Sequence, residues 1–181
     1  ELETKNARLV ELETVLNRKD SVVNALKDKV SKALIGFTDE GLAVELKNGK
    51  VYVSLDEQLL FKSGSTVVDA KGVSALKKLA DVLGKNPDIN IMVEGHTDDV
   101  PYIPGDAIKD NWDLSVKRAT AIVRILMENP KIEGSRIIAA GRSKYVPIDP
   151  LKTNEARRKN RRTEIILTPK LDELFKILET N

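Results

Sequence analysis

Leu2, Leu9, Leu16, Val23 and Val30 stand seven residues apart, and a second row offset by three reads Lys5, Leu12, Lys19, Leu26 and Ala33. A seven-residue apolar repeat belongs to a helix that lays a seam against a partner, because 3.5 residues per turn keeps that seam on one side. No Gly or Pro interrupts the pattern before Gly36. The repeat predicts one continuous helix to about Ala33. It is either one strand of a coiled coil or a single helix lying on the domain that follows. The two Lys in the second row weaken any coil built on it.

At Gly36 the period changes. Leu42, Val44 and Leu46 alternate with polar residues, as do Val51, Val53 and Leu55, and Asn48-Gly49 stands between them. Both turn residues tolerate positive φ, so residues 41–55 read as an antiparallel hairpin. After a loop at Lys62–Ser65, a helix is expected from about Ala70 to Leu83, ended by Gly84 and Pro87. Ile89, Ile91 and Val93 make a strand that stops at Gly95, and a polar loop rich in Pro and Asp spans about Thr97 to Asp110. A second helix starts near Asn111, read as its N-cap, and ends near Glu128. Arg136 to Ala140 is a short strand, and a basic loop leads to a last strand, Arg162 to Leu167. A short amphipathic helix, Leu171 to Leu178, follows. The fold class is α+β: a two-layer sandwich with a mixed β-sheet and helices on one face. Three parts are expected: 1–35, a spacer or dimerising helix; 36–168, a globular domain; and 169–181, a terminal helix.

Composition narrows the chemistry. Across 181 residues there is no Cys and one His, and the formal net charge is +2. Disulfide frameworks, thiolate nucleophiles and zinc–thiolate sites are excluded, and bulk attraction to nucleic acid is not expected. No apolar run approaches the roughly 20 residues that span a bilayer. The chain begins at Glu1 in mid-pattern without Met, so it is expected to be a fragment whose targeting or anchoring segment lies upstream. No GxSxG elbow, HExxH helix or phosphate-cradling loop is present, which argues against an enzyme.

Charge placement is more informative. The second helix carries the row Leu114, Arg118, Ile122, Leu126, an Arg in an otherwise apolar stripe. Such a guanidinium either snorkels at a rim, pairs internally, or meets an anion. The preceding strand ends in Glu94-Gly95-His96-Thr97-Asp98-Asp99, and loops after strand ends are common ligand sites in open α/β sheets. Asp98 and Arg118 therefore either pair with each other or act together on a ligand. In the second case the Asp accepts from an ammonium and the Arg grips a carboxylate. From Lys152 to Glu164 six Lys and Arg oppose two Glu, a local excess of four positive charges. Arg161 and Asn160 offer further donors to the same site. His96 reads as a structural hydrogen-bonding residue. Asp98, Asp99, Asp106, Asp110 and Asp113 do not have EF-hand spacing. Trp112 either packs the loop on the helix or stacks on a sugar.

The strings EGHTDD, NWDLSVKRA and RRKNRRTEIIL, in this order and spacing, resemble the OmpA-like peptidoglycan-binding domain over roughly residues 40–168. The long loop before NWDLS is similar to the MotB-type subgroup. The resemblance implies non-covalent capture of the peptidoglycan stem peptide at meso-diaminopimelate. Asp98 falls on the family's key acid and Arg118 on its key base. Thr97, Asn111 and Leu114 fall at pocket-shaping positions, Asn160 and Arg161 on the final motif, and Arg157 on its upstream Arg. Lys62 departs from the acidic residue frequent after the family's Phe, here Phe61. A binding module without cofactor, metal or nucleic acid is implied. It would face the cell wall in the periplasm, with a missing membrane anchor. That anchor would lie in the outer membrane, or in the inner membrane if the chain is the periplasmic part of a MotB-like flagellar stator. A homodimer through the heptad helix is the accompanying expectation, and a hydrolase acting on peptidoglycan is the more remote alternative.

Overall fold

A computed structural model describes residues 1–179. The elements in order are α1 (Leu2–Ala33), a 3-10 segment (Ile35–Glu40), β1 (Leu42–Lys47), β2 (Lys50–Asp56), α2 (Glu57–Leu60), α3 (Ala70–Gly84), β3 (Ile89–His96), α4 (Asn111–Leu126), β4 (Ile137–Gly141), α5 (Asn154–Asn160), β5 (Arg162–Pro169) and α6 (Asp172–Glu179). A short 3-10 turn, Gly134–Arg136, leads into β4. The terminal part expected at 169–181 ends in two residues that lie outside the described ones.

The hairpin forms where Asn48-Gly49 marks it. Asn48 has φ +50° and Gly49 φ +72°, the pair of positive values a two-residue turn needs to match strand twist. The strands order β1-β2-β5-β3-β4. β5 runs antiparallel to both β2 and β3, and β3 pairs with β4 in parallel. The chain thus leaves β2, crosses through α3 to β3, and returns at its end to fill the space between them. This is the expected mixed sheet of an α+β fold.

Alternation along the strands decides which face is covered. Val53, Ile165 and Val93 lie opposite one another on adjacent strands and are fully buried. They pack under the stripe Leu76, Leu79, Ala80 and Leu83 of α3 and under Ala119, Ile122 and Leu126 of α4. Each buried aliphatic side chain contributes about 1.5–3 kcal/mol by leaving water.

α1 is divided in its environment. Val23, Leu26 and Val30, with Leu34 just beyond the helix, belong to this core. Leu2, Leu9 and Leu16 of the same heptad row are exposed. α6 lies along the earlier turns, with Arg18 paired to Glu173 at 3.3 Å and Arg8 donating to the Leu178 carbonyl at 2.7 Å.

Three local expectations need correction. Asp110, not Asn111, caps α4: its side chain accepts from the Asp113 amide at 2.9 Å, and Asp113 in turn accepts from the Lys109 amide. α4 ends at Leu126 rather than near Glu128. The basic stretch read as loop contains α5, started by Thr153, whose hydroxyl accepts from the Ala156 amide.

Two glycines position α4. Gly95 and Gly141 lie side by side on β3 and β4. A Cβ on Gly95 would fall 2.2 Å from the Ser115 carbonyl oxygen, and one on Gly141 2.5 Å from the Ser115 hydroxyl. Only bare backbone lets the first turns of α4 descend onto the sheet end, bringing α4 beside the loop that follows β3.

Candidate functional site

A cleft of about 620 Å³ opens where the loop after β3 meets α4, α2 and the end of α5. Thr97, Asp98, Asn111, Leu114, Arg118 and Arg161 all line it, so six of the eight expected ligand-binding residues share one cavity.

Arg118 is only 4% exposed. Its Nη2 donates to Glu57 Oε1 at 2.6 Å and its Nε to the Ser65 carbonyl at 2.9 Å. The guanidinium centre sits 4.8 Å from the Phe61 ring centroid, a cation–π distance. It therefore pairs internally rather than snorkelling, and its partner is Glu57, not Asp98. Asp98 instead accepts from Arg161 Nη1 at 2.7 Å, while its other oxygen accepts from the Val100 amide at 3.0 Å. Arg161 closes the chain, its Nε lying 2.8 Å from Glu57 Oε2. Four charges thus alternate, Arg118–Glu57–Arg161–Asp98, and cancel. Paired in this way they can be held in a partly buried wall without leaving an uncompensated charge.

The remaining walls are polar and fixed. Thr97 donates its amide to the Ser143 carbonyl and its hydroxyl to the Asp98 carbonyl. Asn111 Nδ2 holds the Val100 carbonyl at 2.9 Å, pinning the loop mouth. Leu114 supplies apolar wall one turn before Arg118.

Two expected residues do not reach the cleft wall. Arg157 pairs with Asp99 at 2.7 Å beside the opening, and hydrogen bonding to Arg157 holds the Asp99 carboxyl below its usual range. Asn160 turns the other way. Its Oδ1 accepts from the amides of Ile148 and Asp149, and its Nδ2 donates to the Asp149 carbonyl. It clamps the loop before α5. Sequence reasoning missed Glu57, the carboxylate that joins both cleft arginines. It sits on a four-residue helix where no periodicity signals it, and its partners lie 61 and 104 positions further along the chain.

A second charged cluster lies on the other sheet face. His96 Nε2 is 2.9 Å from Glu94 Oε1 and 4.0 Å from Glu164 Oε2. Arg142 holds the other oxygen of Glu94, and Arg162 holds Oε1 of Glu164. The hydrogen bond from His96, aided by Arg142 and opposed by burial, draws the Glu94 carboxyl below its ordinary value. These groups neutralise one another and lie away from the cleft lining. Trp112 stacks on Tyr145 with ring centroids 5.4 Å apart, fastening the loop after β4 to α4.

Comparison with known proteins places this architecture. The OmpA family matches residues 60–161. Motility protein B of Bacillus subtilis (strain 168) is 34% identical over 160 residues, which take in 87% of this chain and 58% of that protein. A crystal structure of a MotB-like protein from Desulfovibrio vulgaris superposes with a TM-score of 0.72 at 24% identity, covering 84% of this chain and 96% of that one. At that identity the likeness speaks for the fold alone. The cell wall anchor of the T6SS from Pseudomonas aeruginosa superposes with a TM-score of 0.69 at 29% identity, covering 78% and 97%. The chain spans about half the length of the curated relatives it matches.

Proposed function

The chain belongs to the OmpA family, and from that premise we propose that it is a non-enzymatic module that binds peptidoglycan at the diaminopimelate of the stem peptide. The observation that carries this is the cleft itself, where two guanidiniums and two carboxylates alternate in a neutral array, three of them, Asp98, Arg118 and Arg161, on the family's motif positions. The free end of a diaminopimelate residue carries an ammonium and a carboxylate on one carbon. Asp98 offers an acceptor to the ammonium, and Arg118 offers a fork to the carboxylate. Arg161 shares Asp98 with the ligand. Thr97, Asn111 and Leu114 shape the walls, while Arg157 and Asn160 act by holding the surrounding loops. The cell wall anchor from Pseudomonas aeruginosa, alike over 78% of this chain, supports the anchoring role.

The module faces the cell wall, in the periplasm, and is tethered through a membrane anchor upstream of Glu1. No helix among the described residues is long and apolar enough to cross a membrane. α1 acts as spacer, and its exposed row Leu2, Leu9 and Leu16 supplies a seam for a second copy. A more specific reading, the wall-binding part of a MotB-like flagellar stator, is favoured by the match to Motility protein B, which takes in 87% of this chain and so extends beyond the residues of the OmpA match. The test is co-sedimentation with purified peptidoglycan sacculi. Wild type is expected in the pellet and Asp98→Ala and Arg118→Ala in the supernatant. Equal pelleting of all three would refute the site.

A further inference from the structure

We propose that Glu57 is the residue that makes the cleft select a zwitterion over a simple carboxylate; this rests on the peptidoglycan-binding reading and assigns a new role within that same site. Glu57 lies outside the residues that the family match covers, 60–161. Its place is nonetheless built. β2 and β5 pair up to Asp56 opposite Arg162, and one step further the Glu57 amide donates to the Arg161 carbonyl at 3.0 Å. The backbone thus fixes Glu57 beside Arg161, and the side chain then spans to Arg118. Each carboxylate oxygen takes one guanidinium, at 2.6 and 2.8 Å. Glu57 is the one ion-pair partner of Arg118 among the described residues.

The charge count decides what enters. With Glu57 ionised, Arg118 and Arg161 are balanced by Glu57 and Asp98. A ligand carboxylate on Arg118 shares the guanidinium with Glu57, which already neutralises it. If that ligand brings no cation, the occupied cleft holds one unpaired negative charge in a partly buried site, which is costly. A ligand carrying its own ammonium leaves the sum at zero and offers Asp98 a second partner beside Arg161. Discrimination here comes from penalising the wrong ligand, not from an added contact to the right one. Glu57→Gln, nearly isosteric, leaves the cleft one positive charge in excess. A simple carboxylate then restores balance, and the zwitterion no longer does.

The experiment measures binding of meso-2,6-diaminopimelate and of pimelate, the same carbon skeleton without ammonium groups, by isothermal titration to the full chain. Wild type is expected to prefer diaminopimelate by about tenfold or more, since misplaced like charge is strongly penalised. In Glu57→Gln that preference is expected to fall to about threefold or less, by tighter pimelate binding. Glu57→Asp keeps the charge on a shorter arm, so it is expected to lose affinity for diaminopimelate yet keep the preference. A Glu57→Gln variant that weakens both ligands in proportion, or changes neither, overturns the proposal and leaves Glu57 a scaffold residue. Loss of the preference in Glu57→Asp overturns it too, and covers the case in which Glu57→Gln fails to fold. Wild type that binds neither diaminopimelate nor sacculi would remove the underlying functional reading, whereas wild-type binding with an unmoved ratio removes only the role of Glu57.

Discussion

Leu26→Ala compared with Leu9→Ala separates the part of α1 that is core from the part that is not. Both leucines belong to the heptad rows, but Leu26 is 1% exposed within the main core and Leu9 is 55% exposed. Removing the Leu26 side chain forfeits its transfer free energy and leaves a cavity beneath α3 and the sheet, so about 3 kcal/mol is expected within the 2–5 range for such truncations. For a chain of this size that corresponds to a fall in Tm of roughly 6–12 °C. Leu9→Ala is expected to cost less than about 0.5 kcal/mol in the monomer, because the side chain is already largely in water. Urea unfolding followed by circular dichroism at two protein concentrations reads both. If the exposed row forms a dimeric seam, the Leu9→Ala cost rises with concentration, since association stabilises by mass action. A Leu26→Ala cost below about 1 kcal/mol would refute the placement of α1 in the core. The same reasoning predicts that deleting residues 1–16 is tolerated. Deleting 1–35 instead removes Val23, Leu26, Val30 and Leu34 from the core and prevents folding.

Arg118→Lys is expected to lose sacculus binding nearly as fully as Arg118→Ala, because an ammonium cannot serve Glu57, Ser65 and a ligand carboxylate from one planar fork; pelleting equal to wild type would contradict this. Arg118→Ala is further expected to destabilise by about 1–3 kcal/mol in chemical denaturation, since it takes from Glu57 its buried partner and leaves it the partly exposed Arg161. The Glu94 carboxyl titrates below its unfolded value of about 4.3, so its contribution is complete above that pH and is lost as pH falls through the lowered folded value. Wild type should therefore exceed Glu94→Gln in stability by a constant margin at neutral pH, and melts in acid should show that margin shrinking. Asn160→Ala removes three hydrogen bonds to residues 148 and 149, with an expected cost of about 1–3 kcal/mol. Its binding defect, read by sacculus sedimentation, should be smaller than that of Arg118→Ala.

The sequence carried the fold wherever a period or a turn signal was long enough to read. The Asn48-Gly49 turn, the alternation of β2 and β3 and the i+4 row of α4 all survive in the structure because burial enforces each of them. α2 and α5 escaped because four and seven residues cannot display a helical period. At the site, the shared cavity of Asp98 and Arg118 was legible from strand end and helix row. Their partners were not, because ion pairing across 61 or 63 positions depends on which strands become neighbours. The adjacent Asn160 and Arg161 show the same limit. The end of α5 sends one side chain into the preceding loop and the next into the cleft, a distinction that no motif encodes.

β5, drawn from the end of the chain, stands third in a sheet whose two flanks share no strand pairing except through it. Without residues 162–169 the hairpin on one side and the parallel pair on the other would have facing edges open. Pairing β5 with β2 closes a long stretch of chain, the kind of contact that slows folding. Arg161 stands immediately before that strand, so the strand that joins the two flanks also completes the charge array of the cleft. A molecule still short of its final strand therefore has an unfinished cleft, whose charges all find their partners only with the completed sheet.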